Sequence, residues 1–138
     1  MYDKPLLLNS LQRIATSLQQ ILERTSSVTS VNDFICSPSG MDLLDIVCMK
    51  LFAVGETVKA IDKHTNKSFL PLYPSVNWQE IMRMRDIIAH HYFEIDANRV
   101  FNTIRNDILP LLQVIEQMKK NLTDNKSNYI KSNKYLHK

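Results

Sequence analysis

The chain has 138 residues, 44% of them hydrophobic and 22% charged, with a formal net charge of +3. This is the length of one domain, with enough apolar content to close a core. Two glycines and two cysteines exclude glycine-rich phosphate loops, strand-and-tight-turn architectures and a disulfide framework. No apolar run approaches the roughly 18 residues of a membrane span. The first residues, Met1 to Leu8, do not have the pattern of a signal peptide, so a cytoplasmic location without membrane association is expected.

The charge is uneven. From Lys119 onward six lysines face the single acid Asp124, whereas residues 1–118 carry eleven basic and thirteen acidic groups. Residues 1–120 are expected to form the folded domain. Residues 121–138, rich in Asn, Lys and Ser, are expected to form a flexible tail. Such a tail either attracts phosphate backbones at low salt or simply solubilises the chain.

The apolar periodicity is helical throughout. Leu7, Leu11, Ile14, Leu18 and Ile21 define a first helix, closed by the hydroxyl-rich Thr25–Ser30. A short turn over Val31–Ile35 follows. Ser39 with Asp42 forms a capping pattern. The second long helix carries Leu44, Val47, Leu51, Val54, Val58 and Ile61 and ends near Lys63-His64. Its wide apolar face predicts a central position. Gly55, unfavourable in mid-helix by about 1 kcal/mol against Ala, predicts a close helix approach. After a proline-containing loop over 65–76, Asn77 with Glu80 starts a third helix through Trp78, Ile81, Met84 and Ile88. The chain relaxes at Tyr92-Phe93, and Asp96 caps a last helix from Phe101 to Leu122, which Pro110 should kink or restart. The expected fold is all-α, an up-and-down bundle of four to five helices.

Most catalytic templates are missing. Cys36 and Cys48 are not spaced for a metal, and neither a metal site nor a cofactor is expected. The run Arg83-Met84-Arg85-Asp86-Ile87-Ile88-Ala89-His90-His91-Tyr92-Phe93 stands out instead. It places two arginines, two of the four histidines and a tyrosine at one helix end. That set supports cleavage of an RNA phosphodiester. A histidine can take the proton of the 2′-hydroxyl or return one to the 5′-oxygen. An arginine fork can match the charge gathering on the non-bridging oxygens. On an ideal helix Arg85 and His90 lie roughly 140° apart, so they meet only through Arg85's length, a helix end near His90, or a second copy. Plainer roles are open for each residue: a structural His90, an Arg85 paired with Asp86 or Glu80, and a Tyr92 half-buried beside Phe93.

Arg85-x-x-x-x-His90-x-Tyr92 in an all-α chain resembles the HEPN-domain family, in particular its HepT-like toxin branch. Val54-Gly55-Glu56, Trp78-Gln79-Glu80-Ile81 and Tyr92-Phe93-Glu94-Ile95-Asp96 extend the resemblance over about residues 4–120. The resemblance implies a metal-independent endoribonuclease toxin of a type VII-like toxin–antitoxin pair. It would act as a homodimer whose two motifs share a cleft, on RNA and preferably transfer RNA. Arg85 and His90 would be the catalytic pair, supported by Asp86, His91 and Glu56. Tyr92 would be the residue that a partner nucleotidyltransferase antitoxin adenylylates from ATP. Arg83, Lys119 and Lys120 are candidates for RNA-phosphate contacts. The alternative within the same resemblance is a non-catalytic helical module that binds nucleotide or serves a paired transferase.

Overall fold

A computed structural model describes residues 2–136, with side chains through Asp124. Its order is α1 (Lys4–Arg24), α2 (Asn32–Ile35), α3 (Pro38–His64), α4 (Trp78–His90), α5 (Ala97–Asn106) and α6 (Ile108–Leu136), with no strand among the described residues. Short polar side chains start the helices, as unsatisfied N-terminal amides require. Asp3 accepts from the Leu6 amide at 3.1 Å, Ser37 from Gly40 at 3.0 Å, Asn77 from Glu80 at 3.1 Å, and Asp96 from Asn98 at 2.9 Å. The α3 cap is thus Ser37 rather than Ser39, because Pro38 occupies the first turn, where its missing N–H costs nothing.

α3 is the hub. It packs against α1, α2 and α4, while α1 also packs on α6 and α6 on α5. Polar contacts show the directions: Tyr2 meets Ser68 and Lys50 meets Gln20, so α1 and α3 run antiparallel. Leu11, Ile14 and Leu18 of α1, Val47 and Val58 of α3, and Ile108, Ile115 and Met118 of α6 are fully enclosed between these helices. Gly40 lets α2 cross the first turn of α3, since a Cβ there would sit 2.1 Å from the Asp33 carbonyl oxygen.

At the C-terminal side the chain takes the restart that Pro110 allows. The last helix is two helices, broken at Asp107. Pro110 cannot accept the helical path of residue 106, whose carbonyl its ring would meet, so the chain turns and restarts with Pro110 in the first turn of α6. The folded domain also passes residue 120. Leu122 is buried, Asn121 donates to the Tyr73 hydroxyl at 3.0 Å, and the backbone stays helical to Leu136. The side chains of Lys126, Lys131, Lys134 and Lys138 lie outside the described residues. No helix among the described residues is long and apolar enough to cross a membrane.

Candidate active site

The site lies on the seam between α3 and α4, which run antiparallel. Gly55 makes the seam possible. A Cβ there would lie 2.4 Å from the Arg85 Cβ and 3.2 Å from the Ile81 carbonyl oxygen, so only glycine lets α4 press its arginine flat onto α3. The guanidinium then lies over the Phe52 ring, 5.0 Å from the centroid, an arrangement in which the ring face attracts the cation. Its terminal nitrogens donate to Glu56 Oε2 at 2.7 Å and to Asp86 Oδ1 at 3.0 Å. The same Asp86 oxygen accepts from Lys59 Nζ at 3.0 Å. Arg85 Nε is buried and has no hydrogen-bond partner among the described residues.

These four groups alternate in sign and stabilise one another's charged forms. Lys59 and then Arg85 hold the Asp86 carboxyl below its usual range, and Glu56 and Asp86 hold the Arg85 charge in place. The arginine is therefore oriented before any substrate arrives. Glu56 is half-exposed and is the partner a phosphate could replace.

α4 ends at His90, whose side chain is exposed. α4 does end near His90, one of the three routes by which Arg85 and His90 could meet, but the contacts of the Arg85 guanidinium among the described residues are with Glu56, Asp86 and Phe52 and not with His90. The His91 amide closes the helix on the Ile87 carbonyl at 2.7 Å. The His91 ring faces Glu94, 3.5 Å away. Residues Tyr92–Glu94 then make one 3₁₀ turn, which swings Tyr92 back to α3. Its hydroxyl donates to the Asp45 carboxylate. That bond, with some burial, pushes the Tyr92 phenol up to about 12. Nearby Cys48 is pushed up to about 11 by burial and by Asp45, which leaves it a neutral packing thiol.

Asp45, Phe52, Glu56 and Lys59 fall within an arc of about 60° on one stripe of α3 at 100° per residue. The motif residues Arg85, Asp86 and Tyr92 all touch that stripe. Sequence reasoning named Glu56 but missed Asp45, Phe52 and Lys59. The signal was present for two of them, since Phe52 and Lys59 flank Gly55-Glu56 at helical spacing. Asp45 had none.

The three candidate RNA contacts are not brought together with this set. Arg83 points away along α4 and pairs with Glu80 at 3.2 Å. Lys119 lies on the seam between α1 and α6, where it donates to Gln12 at 2.6 Å and pairs with Glu116 at 3.2 Å. Lys120, next to it, is exposed. Among the described residues no three His, Cys, Asp or Glu side chains are grouped to hold a metal ion.

Residues 14–118 match the family model described as Ribonuclease HepT-like. The chain is 31% identical over 110 residues to a Thermococcus cleftensis protein named Probable ribonuclease HepT, covering 80% of this chain and 93% of that one. It is 28% identical over 108 residues to a Caldanaerobacter subterraneus protein named as a candidate RNase, covering 78% and 89%. A Methanocaldococcus jannaschii protein, named as a gamma-glutamylcyclotransferase and candidate RNase, is 30% identical over 118 residues, which are 86% of this chain and 50% of that one. No solved structure matches. With Arg85 and Tyr92 set along the α3–α4 seam, an exposed His90 at the end of α4 and its sequence matched over most of its length, the chain belongs to the HepT-like ribonucleases of the HEPN family.

Proposed function

We propose that this protein is a metal-independent endoribonuclease toxin that cleaves cellular RNA, preferably transfer RNA, as a homodimer. The carrying observation is Arg85. Its guanidinium is fixed by Glu56, Asp86 and the Phe52 ring where Gly55 leaves α3 without a side chain, one and a half turns before an exposed His90.

In this reading a scissile phosphate displaces Glu56 and takes the Arg85 terminal nitrogens. His90 accepts the 2′-hydroxyl proton, the 2′-oxygen bonds to phosphorus, and the bond from phosphorus to the 5′-oxygen breaks. The leaving oxygen takes a proton from the same or the second protomer's imidazole. Arg85 stabilises the negative charge in between. The products are a 2′,3′-cyclic phosphate and a 5′-hydroxyl. Asp86, kept ionised by Lys59, orients Arg85. Around the site Met41, Ile46, Met49 and Phe93 are exposed, Phe93 fully. This apolar surface supports two-fold pairing that places both motifs at one cleft.

The exposed Tyr92 hydroxyl is the acceptor for a nucleotide from a partner nucleotidyltransferase. Its proton passes to the Asp45 carboxylate, its oxygen bonds to the α-phosphorus of ATP, and pyrophosphate leaves. The added anion occupies the cleft and repels RNA.

The test is incubation with total RNA in EDTA, with mapping of the fragment ends, for wild type, Arg85→Ala and His90→Ala. Cyclic-phosphate ends that vanish in both variants support the reading. Absence of cleavage by the wild type, or equal cleavage by all three, overturns it and leaves a non-catalytic module. Co-expression with a partner transferase, read by the mass of the Tyr92 peptide, tests the modification.

A further inference from the structure

One helical turn beyond the Lys59–Asp86 pair, the same α3–α4 seam opens into a second feature. A groove of about 530 Å³ runs between the last turn of α3, the 65–77 loop and the first two turns of α4. Asp62 stands three residues after Lys59 on α3, and Met82 four residues before Asp86 on α4. The groove therefore starts about 5–6 Å along both helices from the site that holds Arg85.

The lining combines three chemistries. Pro71, Pro74 and Met82 give an apolar surface on which a flat ring can lie. Asp62 supplies hydrogen-bond acceptors and the Gln79 amide both donor and acceptor. Lys67 supplies a cation that has no ion pair among the described residues. The groove is also held rigidly open. The Trp78 indole N–H donates to the Tyr73 carbonyl at 3.0 Å and pins the loop wall.

Lys67 is placed there by an unusual backbone. Asn66 and Lys67 have φ of 52° and 61°, and the Lys67 amide closes α3 on the Asp62 carbonyl at 2.8 Å. Glycine ordinarily fills such a helix-ending position, and asparagine is tolerated there. A lysine in the left-handed region is uncommon and costs strain. What it gains here is a positive charge on the rim of the groove.

We propose that this groove is a nucleotide subsite that holds the RNA residue next to the scissile phosphate. Lys67 takes a flanking phosphate, the apolar wall takes the base face, and Asp62 with Gln79 reads the base edge. Asp62 accepts hydrogen bonds and donates none, so the subsite favours guanine, whose N1–H and amino group can both donate to one carboxylate, over uracil, which offers the single N3–H. This inference rests on the ribonuclease reading above and extends it to substrate selection.

Short single-stranded RNA spanning a mapped cut site tests it, with each flanking base changed in turn to uridine. In wild type, uridine on one flank should lower kcat/KM by about five-fold or more. Asp62→Asn should reduce that discrimination. Lys67→Gln should raise KM about three- to ten-fold with little change in kcat, and lower the slope of log affinity against log salt by about 0.7. Lys67→Arg should restore the slope, and Lys67→Gly, which keeps the backbone conformation, should behave like Lys67→Gln. Arg105→Gln on α5, which also removes one charge, should leave the slope unchanged. Wild-type KM, slope and base preference in the Asp62 and Lys67 variants overturn the subsite. Binding of the same oligonucleotide, measured by anisotropy, decides for or against the subsite even if no cleavage is seen, and absence of cleavage overturns the ribonuclease reading separately.

Discussion

α3 carries two faces with opposite character. On one, Val47, Leu51, Val54, Val58 and Ile61 are buried against α1 and the rest of the core. On the other, Asp45, Phe52, Glu56 and Lys59 meet α4 and its following turn through half-exposed ion pairs and a ring–cation contact. Burial on the first face supplies stability, since each enclosed aliphatic side chain contributes roughly 1.5–3 kcal/mol. The second face contributes little stability, because exposed pairs give about 0–1 kcal/mol. Its ordering serves geometry instead. A single helix thus separates the forces that fold the protein from the groups that order Arg85, Asp86 and Tyr92.

The largest effects should come from α4, across from the second face, and appear in activity alone. Arg85→Ala and His90→Ala should each lower kcat/KM for RNA by about 10²–10⁴-fold, with urea midpoints close to wild type. The first face should give the reverse. Leu51→Ala should cost about 2–5 kcal/mol in chemical unfolding and leave cleavage within about twofold where the variant is still folded. A Leu51→Ala protein that unfolds normally but fails to cleave would break the separation.

Gly55 lies between the faces and should couple them. The Cβ added by Gly55→Ala must displace the Arg85 side chain or part the helices, an overpacking cost of about 1–3 kcal/mol. The better helix propensity of alanine offsets roughly 1 kcal/mol of it. Cleavage should fall at least about ten-fold because the guanidinium moves. Stability measured beside cleavage on one preparation checks both.

Most of the fold was legible in the residues. Stripes such as Leu7 to Ile21 admit one period, and Gly55 in mid-helix has few explanations other than contact. The break at Asp107 was only half legible: Pro110 announces a kink or a restart, but neither which of the two nor that the new helix begins two residues earlier, at Ile108. Composition after residue 120 is polar and hides Leu122 and Asn121, which act singly, through one core contact and one hydrogen bond. Within the site the residues local to the motif could be read from spacing. Asp45 could not, because its contact with Tyr92 spans 47 residues and depends on a 3₁₀ turn that no local pattern specifies.

A pH experiment sharpens the second face. The Tyr92 phenol is raised from 10.0 to about 12 by its bond to Asp45. The neutral phenol is therefore favoured in the folded state. Its contribution is complete below about pH 10 and is lost as pH rises through about 12. The stability difference between wild type and Tyr92→Phe should accordingly shrink across that window, and Asp45→Asn should narrow it. A difference independent of pH would mean that the Tyr92–Asp45 bond does not persist in solution.

The smallest expected effect contrasts two lysines on different seams. Lys59 meets Asp86 beside Arg85, whereas Lys119 joins α6 to α1 through Gln12 and Glu116. Both contacts are partly exposed, so each glutamine variant should change stability by no more than about 1 kcal/mol. Cleavage should distinguish them. Lys59→Gln leaves Asp86 with Arg85 as its cation, strengthens the hold on the guanidinium and should slow cleavage severalfold. Lys119→Gln changes a seam that touches none of Arg85, His90 and Tyr92, and cleavage should stay at the wild-type rate. Equal loss in both variants would mean that the basic end of α6 reaches the RNA after all, and that the acting surface is wider than one stripe of α3.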